Sequence, residues 1–148
     1  MGHNKKKCVE LINKAIREFM RIYRAAIKRS GIAENEFRVW YTLIVMDENF
    51  SQQEICDMWS MPKQTVNSII SRMVQMNYIN LECVGKNRKV IRLTDLGKNY
   101  GETVTLPISN AEQRAFVTLP LNDQKLFIGS LSKYVEIMRR EIYERTEF

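Results

Sequence analysis

The chain has 148 residues and a formal net charge of +6 at pH 7, and 45% of its residues are hydrophobic. This length suits one ordinary domain, or one domain with an attached oligomerisation element, and the composition can supply a hydrophobic core. No apolar run approaches the roughly 18 residues that a membrane span needs, and the basic N-terminus lacks the apolar stretch of a signal peptide. We therefore expect a cytoplasmic protein without membrane contact.

Catalytic and metal-binding groups are sparse. Structural zinc needs four Cys or His ligands, and the widely spaced Cys8, Cys56 and Cys83 with the single His3 do not make such a set. With one histidine, no carboxylate pair and no glycine-rich phosphate loop, no catalytic constellation can be assembled. We expect three reduced thiols, no metal, no cofactor and no enzymatic activity.

Positive charge is concentrated in two parts of the chain. Residues 1–30 hold nine Lys and Arg against two acids, residues 51–94 carry a net +3, and residues 95–148 are nearly balanced. This distribution suits a module that binds a polyanion and is joined to a module that contacts protein.

The first two predicted helices are rich in apolar residues. Residues 5–29 predict one long helix whose apolar residues follow a heptad-like spacing, and Gly31 would end it. Its apolar face fits either an intramolecular core or a subunit interface, and both interpretations stay open. Residues 35–47 predict a second, poorly capped helix. Its expected buried side comprises Phe37, Trp40, Tyr41, Ile44 and Val45.

A helix-turn-helix follows. Ser51 and Glu54 form a capping box that starts a short helix, with Ile55, Met58 and Trp59 on one side. After a tight connection, Pro62 suits the first turn of a helix that extends to Met76. A short helix, a brief turn and a second helix are the order of this DNA-binding motif.

The second helix of this motif has two unlike faces. One is apolar, and the other carries amides, hydroxyls and one cation but no acid, which are the groups that contact base edges and phosphates. An ordinary solvated face is the alternative. The predicted apolar stripe is Val66, Ile69, Ile70, Met73 and Val74, and the predicted base contacts are Gln64, Thr65, Asn67 and Ser68. Phosphate candidates are Ser51, Gln52, Pro62 and Lys63. Arg72 could contact phosphate or guanine, and a surface ion pair is its less favoured role because the same helix has no acid.

After Asn77 the apolar periodicity changes to two, which predicts a β-hairpin that turns at residues 85–87. Lys86, Arg88 and Lys89 lie at its tip. A cationic hairpin directly after a recognition helix is typical of a wing that contacts the phosphate backbone or a minor groove. The alternative is a charge cluster that keeps an edge strand soluble.

Two long helices complete the chain. Thr94 should cap the first, which runs to Phe116 or Val117 and is interrupted by Pro107, where we expect a kink. Asn122 or Asp123 should cap the last helix, which ends near Arg145. Its apolar stripe is Leu126, Phe127, Leu131, Tyr134, Val135, Met138 and Ile142.

The chain resembles the MarR family of winged-helix transcriptional regulators from prokaryotes. The resemblance rests on the segment SQQEICDMWSMPKQTVNSIISRMVQMNYI, residues 51–79, and on RLTDLGK, residues 92–98, at the exit of the wing. It implies a mainly α fold with a small β-hairpin wing: a dimerisation helix in residues 1–34, the winged helix-turn-helix in residues 35–98 and dimerisation helices in residues 99–148. It also implies a homodimer that binds a pseudo-palindromic operator in double-stranded DNA as a repressor, with release by a small aromatic effector.

Two features depart from the family pattern. The family wing has an Asp two residues before its Arg, whereas Lys86 precedes Arg88 here, so Arg88 should lack the usual carboxylate partner. Relatives that sense peroxide use a Cys on the first helix, and Cys8 has that position without the aromatic neighbours. A thiol-based redox repressor that uses Cys8 is therefore one alternative, and a winged-helix protein-interaction module without base contacts is another.

Four aromatic residues could line an effector pocket between the dimer helices and the DNA-binding module, although ordinary core packing is the other interpretation. They are Phe19, Tyr23, Phe37 and Trp40.

Overall fold

The computed structural model describes residues 4–46 and 49–146. Within these ranges, helices and strands follow each other in the order α1, α2, α3, α4, β1, β2, α5, α6. Their bounds are Lys5–Ser30, Glu34–Tyr41, Gln52–Trp59, Lys63–Gln75, Ile79–Val84, Arg88–Leu93, Asp95–Thr118 and Leu121–Arg145. The prediction of a mainly α fold with one β-hairpin is confirmed. The chain divides into two compact units, Met1–Ile108 and Ser109–Phe148, and the three-part domain division remains a prediction.

The ends of α1 and α2 follow the sequence signals. Gly31 has a φ of 77° and its N–H donates to the Lys28 carbonyl, so the residue without a Cβ takes the left-handed position that ends α1. Ala33 precedes α2 without any side-chain cap, as its residue type predicts.

The buried side of the second helix differs from the prediction. After α2 the chain continues as a π-helical turn, Thr42–Met46, whose wider winding breaks the 3.6-residue periodicity. Phe37 and Trp40 are buried as expected, but Tyr41, Ile44 and Val45 are only half-buried. Val39, Thr42 and Leu43 are buried in addition. Asp47, which the sequence pattern placed in this helix, lies outside the described residues.

The core of the first unit joins α2, α3, α4, the hairpin and the first turns of α5. It contains Val39, Trp40, Leu43, Ile55, Cys56, Met61, Val66, Ile69, Ile70, Met73, Ile79, Ile91 and Val104. Of the residues predicted on one side of α3, Ile55 is buried but Met58 is 39% exposed, and Cys56 is buried in addition. The helix-turn-helix and the base of the hairpin therefore share one core, which holds them in a fixed relation.

The hairpin pairs β1 with β2 from Ile79 opposite Leu93 to Val84 opposite Arg88. Gly85 has a φ of 70° in the three-residue turn. Only the base of the hairpin reaches the core, because Ile79, Val90 and Ile91 are buried whereas Leu81 and Val84 are about 40% exposed. The distal half of the wing therefore projects from the core.

The caps of the two last helices differ. The Thr94 hydroxyl accepts from the Gly97 N–H at 3.0 Å, which confirms its predicted role at the start of α5. Pro107 lies inside α5, and the kink remains a prediction. Helix α6 begins at Leu121 with Pro120 as its N-cap, so Asn122 and Asp123 are already helical and the predicted caps were wrong by one turn or less.

Candidate nucleic-acid interface

The start of α3 has both arms of the predicted capping box. The Glu54 N–H donates to the Ser51 hydroxyl at 3.3 Å, and the Ser51 N–H donates to the Glu54 carboxylate at 2.7 Å. This reciprocal arrangement fixes the first turn of the helix. It holds Ser51 and Gln52, two predicted phosphate contacts, at the positive end of the α3 dipole.

The turn between α3 and α4 places the second helix. Ser60 takes the left-handed conformation with a φ of 50°, and the Met61 N–H donates to the Cys56 carbonyl at 3.0 Å. Pro62 is the N-cap of α4 and not part of its first turn, and its carbonyl accepts from the Val66 N–H. The first N–H groups of α4, which begin at Lys63, have no acceptor within the helix and favour an anion at this end.

Helix α4 has the two predicted faces. Val66, Ile69, Ile70 and Met73 are buried as predicted, but Val74, which was predicted on the same stripe, is 41% exposed. On the opposite face Gln64, Asn67 and Ser68 are exposed and Thr65 is half-buried. The Ser68 hydroxyl donates to the Gln64 carbonyl at 2.9 Å, which leaves its oxygen lone pairs for a ligand.

Arg72 forms the surface ion pair that was the less favoured of its predicted roles. Its Nη2 lies 3.0 Å from the carboxylate of Glu36. The absence of an acid from α4 was the reason for disfavouring an ion pair, and that reason was wrong because the carboxylate comes from α2. The Arg72 side chain is 58% exposed, and a DNA contact by Arg72 remains a prediction that requires it to share or leave Glu36.

Arg88 also has a carboxylate partner. Its Nη2 donates to both oxygens of Glu54, at 2.9 and 2.8 Å, and to the Asn49 carbonyl at 3.1 Å. Arg88 has no carboxylate partner from the wing position that Lys86 occupies, but Glu54 on α3 supplies one that the sequence did not predict. The Ser51 N–H and then the Arg88 guanidinium lower the pKa of Glu54 to about 2, so this carboxylate stays ionised at neutral pH.

A groove of about 650 Å³ lies between α3, the start of α4 and the wing. Seven of the twelve predicted DNA contacts line it: Ser51, Gln52, Lys63, Asn67, Lys86, Arg88 and Lys89. The other five, Pro62, Gln64, Thr65, Ser68 and Arg72, belong to α4 or its cap. Among the residues that the structure describes, those that line this groove include four cations and no acid. The groove therefore favours an anionic ligand.

Several residues of this region were not predicted from the sequence. Gln53, Cys56, Leu81, Cys83, Gly85 and Asn87 also line the groove. Asn49 was missed as well, although its carbonyl accepts from Arg88 and its side chain accepts from Arg92 Nη1. The position of Gln53 beside the capping box was a usable signal, whereas nothing local identifies Asn49.

The four aromatic residues proposed for an effector pocket lie in different environments. Phe19 is 58% exposed on α1 and contacts Tyr23 at a ring-centre distance of 4.7 Å. Phe37 and Trp40 are buried, and Trp40 packs against Tyr78 and Tyr100 at 5.5 and 5.2 Å. Core packing accounts for Trp40, and none of the four lines the groove.

The structure adds observations about other kinds of site. Within residues 4–46 and 49–146 it contains no group of three or more His, Cys, Asp or Glu that could hold a metal ion, and His3 lies outside those residues. Cys8 is a half-exposed free thiol on α1, and its redox role remains a prediction. Within the same described ranges, no helix has the length and apolarity that crossing a bilayer requires.

The fold is similar to that of solved structures of MarR family regulators. A MarR family regulator from Neisseria meningitidis, NMB1585, superposes with a TM-score of 0.77 at 22% identity, over 93% of this chain and 98% of that one. A MarR transcriptional regulator from Methanosarcina mazei Go1 gives 0.66 at 21% identity, over 90% and 99% of the two chains. Staphylococcus aureus MarR, solved with salicylate and kanamycin, gives 0.63 at 18% identity, over 91% and 97%.

No protein-family model and no curated protein matches the sequence. Because the sequence identities are only 18–22%, the structural similarity establishes the fold alone. The predicted resemblance to the MarR family is confirmed for the fold. The chain has the winged-helix fold of MarR family regulators.

Proposed function

We propose that this protein is a MarR-type transcriptional regulator that binds a specific double-stranded DNA operator as a homodimer. One observation carries the proposal: the exposed, acid-free face of α4 meets the acid-free cationic groove beside the wing. Lys63 and Asn67 belong to both surfaces, so a single bound polyanion could contact the helix face and the groove together. The solved structures of the same fold, which are named as transcriptional regulators, support this function.

The two surfaces suggest different contacts with DNA. Helix α4 would lie in the major groove, where the amides of Gln64 and Asn67 can bond adenine in a bidentate manner and Thr65 and Ser68 can contact other base edges. Lys63, Ser51 and Gln52 would bond phosphates at the starts of the two helices. The wing would contact the adjacent minor groove and its phosphates through Lys86, Arg88 and Lys89.

The proposed homodimer rests on apolar side chains that the single chain leaves uncovered. On α1 the exposed residues include Val9, Ile12, Ile16, Phe19 and Ile22. Helix α6 has no buried residue, although its sequence carries a continuous apolar stripe. Surfaces of this kind mark protein interfaces. A two-fold dimer would place its two recognition helices about 34 Å apart, one turn of DNA, and would match a pseudo-palindromic operator.

Repression released by a small effector is the regulatory part of the proposal. One structural neighbour was solved with salicylate and another, from Mycobacterium tuberculosis, with p-aminosalicylic acid, which makes small aromatic acids the first compounds to test. A compound that changed the spacing of the two recognition helices would move at least one half-site away from its phosphates. Because neutralised phosphates contribute strongly to a salt-dependent affinity, freeing a few of them would release the operator.

The decisive experiment is selection of bound fragments from a genomic library by the purified protein at physiological salt. An Arg72→Ala/Arg88→Ala variant serves as the control for the arginine contacts. Enrichment of a palindromic site by the wild type alone would support the regulator. Equal weak binding by both proteins would contradict base recognition and would favour a winged-helix protein-interaction module.

A further inference from the structure

Strand β2 is hydrogen-bonded to the segment that precedes α3. The Ile91 N–H donates to the Phe50 carbonyl at 2.9 Å, and the Arg88 guanidinium donates to the Asn49 carbonyl at 3.1 Å. Arg92 adds a bond from Nη1 to the Asn49 side chain. The first residue of β2 is therefore attached to the chain immediately before the first helix of the DNA-binding motif.

Glu54 connects these parts through one carboxylate. It accepts the Ser51 N–H at 2.7 Å and the Arg88 guanidinium through both of its oxygens. The cap of α3 and the wing arginine thus share a single acceptor group. Any displacement of Arg88 relative to α3 must break charge-assisted hydrogen bonds at this carboxylate.

The exposure of this pair suggests that its main contribution is not to folding. The Arg88 and Glu54 side chains are 49% and 45% exposed, and an ion pair that exposed adds little to stability because water screens it. Within the described residues, the hydrogen bonds of Arg88 all use Nη2, which leaves its Nη1 and Nε donors available to a ligand. Arg88 also lines the groove, where such a ligand would lie.

We propose that Glu54 is a positioning residue that fixes Arg88 relative to α3, so that the wing and the helix-turn-helix meet the operator as one unit. The proposal rests on the proposed DNA-binding function. Glu54 would act in two ways. Glu54 would hold the Arg88 guanidinium where only a correctly placed operator can accept hydrogen bonds from its remaining N–H groups. The negative charge of Glu54 would also weaken the attraction of Arg88 to any other phosphate. We therefore expect Glu54 to increase the preference for the operator over other DNA, and not only the affinity for DNA.

Glu54→Gln separates this role from helix capping. The Gln carbonyl oxygen can still accept the Ser51 N–H in a capping box, but a neutral amide cannot replace the ion pair with Arg88. Asp57→Asn is the matched control, since Asp57 is an exposed acid on the same helix and the change adds the same charge. Thermal unfolding of both variants would establish that each is folded at the temperature of the binding measurement.

The measurement is the ratio of operator affinity to affinity for a scrambled duplex, determined over a range of salt concentrations. We expect Glu54→Gln to lower this ratio about tenfold, roughly the effect of one misplaced charge-assisted contact. The salt slope on scrambled DNA should steepen by about one, because a released arginine neutralises one more phosphate. Asp57→Asn should change the affinity ratio and the salt slope less than Glu54→Gln does.

A double-mutant cycle decides whether Glu54 acts through Arg88. In an Arg88→Gln background, Glu54→Gln should have no further effect on the ratio. Two results would overturn the proposal while the wild type still selected its operator. One is that Glu54→Gln lowers the affinity ratio as much in the Arg88→Gln background as it does alone, and the other is that Glu54→Gln alone leaves the ratio unchanged. A wild type that does not discriminate between operator and scrambled DNA would instead overturn the proposed function, and this inference with it.

Discussion

Helices α4 and α6 are both amphipathic in sequence, but α4 buries its apolar side chains and α6 leaves its own exposed. Helix α4 buries Val66, Ile69, Ile70 and Met73 in the core of the first unit. Helix α6 has no buried residue, and Leu126, Phe127 and Leu131 are at least half exposed. The winged helix-turn-helix is therefore complete within one chain. By contrast, α6 presents a surface that a single chain does not satisfy, and α1 does the same.

The same substitution in the two helices should give the largest contrast. Ile70→Ala in α4 removes a side chain that is 1% exposed, and we expect it to lower the free energy of unfolding by about 2–5 kcal/mol. Ile128→Ala in α6 removes one that is 55% exposed, and at concentrations that favour the monomer it should cost less than about 0.5 kcal/mol. Chemical denaturation at several protein concentrations measures both. Equal costs at low concentration would contradict the contrast.

A charge in the exposed face of α1 should break the dimer. Ile16→Glu would bury a carboxylate at the proposed interface, and we expect the operator affinity to fall about 100-fold or more as the two half-sites become uncoupled. Sedimentation gives the oligomeric state and titration gives the affinity. Lys14→Gln makes the same change in net charge on the opposite side of α1 and should leave the dimer intact. A dimeric Ile16→Glu variant would place the interface elsewhere.

The polar face of α4 should contribute specificity. We expect Asn67→Ala or Gln64→Ala to cost about 1–3 kcal/mol on the operator and almost nothing on scrambled DNA, because these amides would bond only base edges. Competition binding with both duplexes measures the difference. Gln75→Ala, at the exposed end of the same helix, is the control. Uniform weakening on both duplexes would show that these amides contact phosphate and not bases.

The wing lysines should contribute affinity without specificity. Replacing Lys86 or Lys89 by Gln should weaken binding to every sequence and reduce the salt slope by about one for each phosphate that is no longer neutralised. Binding isotherms between low and physiological salt provide the slope. An unchanged slope in both variants would mean that the wing does not contact the DNA backbone.

Glu54 should have the smallest effect on stability, and acid should remove that effect. Its pKa in the folded protein, about 2, lies below its ordinary value of 4.5, so its contribution to stability is complete above about pH 4.5 and is lost as the pH falls toward 2. Its exposure limits that contribution to roughly 1 kcal/mol or less. The stability difference between wild type and Glu54→Gln, followed by denaturation at several pH values, should therefore shrink across this window. A constant difference would show that the carboxylate charge is not involved.

Local patterns predicted the elements of this fold well. The capping box at Ser51, the faces of α4 and the limits of the hairpin all depend on residues that are close in sequence, and the structure has them where the spacing placed them. The π-helical turn after Tyr41 was not predictable in this way. This turn buries Thr42 and Leu43, which the 3.6-residue periodicity of the apolar residues did not predict.

The electrostatic details of the site could not be predicted. Arg72 pairs with Glu36 and Arg88 pairs with Glu54, and both partners are more than 30 residues away in the chain. Sequence spacing predicts ion pairs only between residues of the same helix or strand, so the sequence did not predict either of these pairs. Glu54 was correctly identified as a cap, but its second role appears only when the hairpin folds back onto α3.

A hydroxyl-radical footprint of the wild-type protein on its selected duplex tests most directly whether a dimer recognises DNA through α4 and the wing. We predict two stretches of protected backbone sugars whose centres lie about 10 base pairs apart, each including the minor groove where the wing lies. A parallel dimethyl sulfate footprint should show protected guanine N7 atoms in the major groove beside each stretch, where α4 lies. A single protected segment, or protection without that spacing, would contradict this mode of recognition.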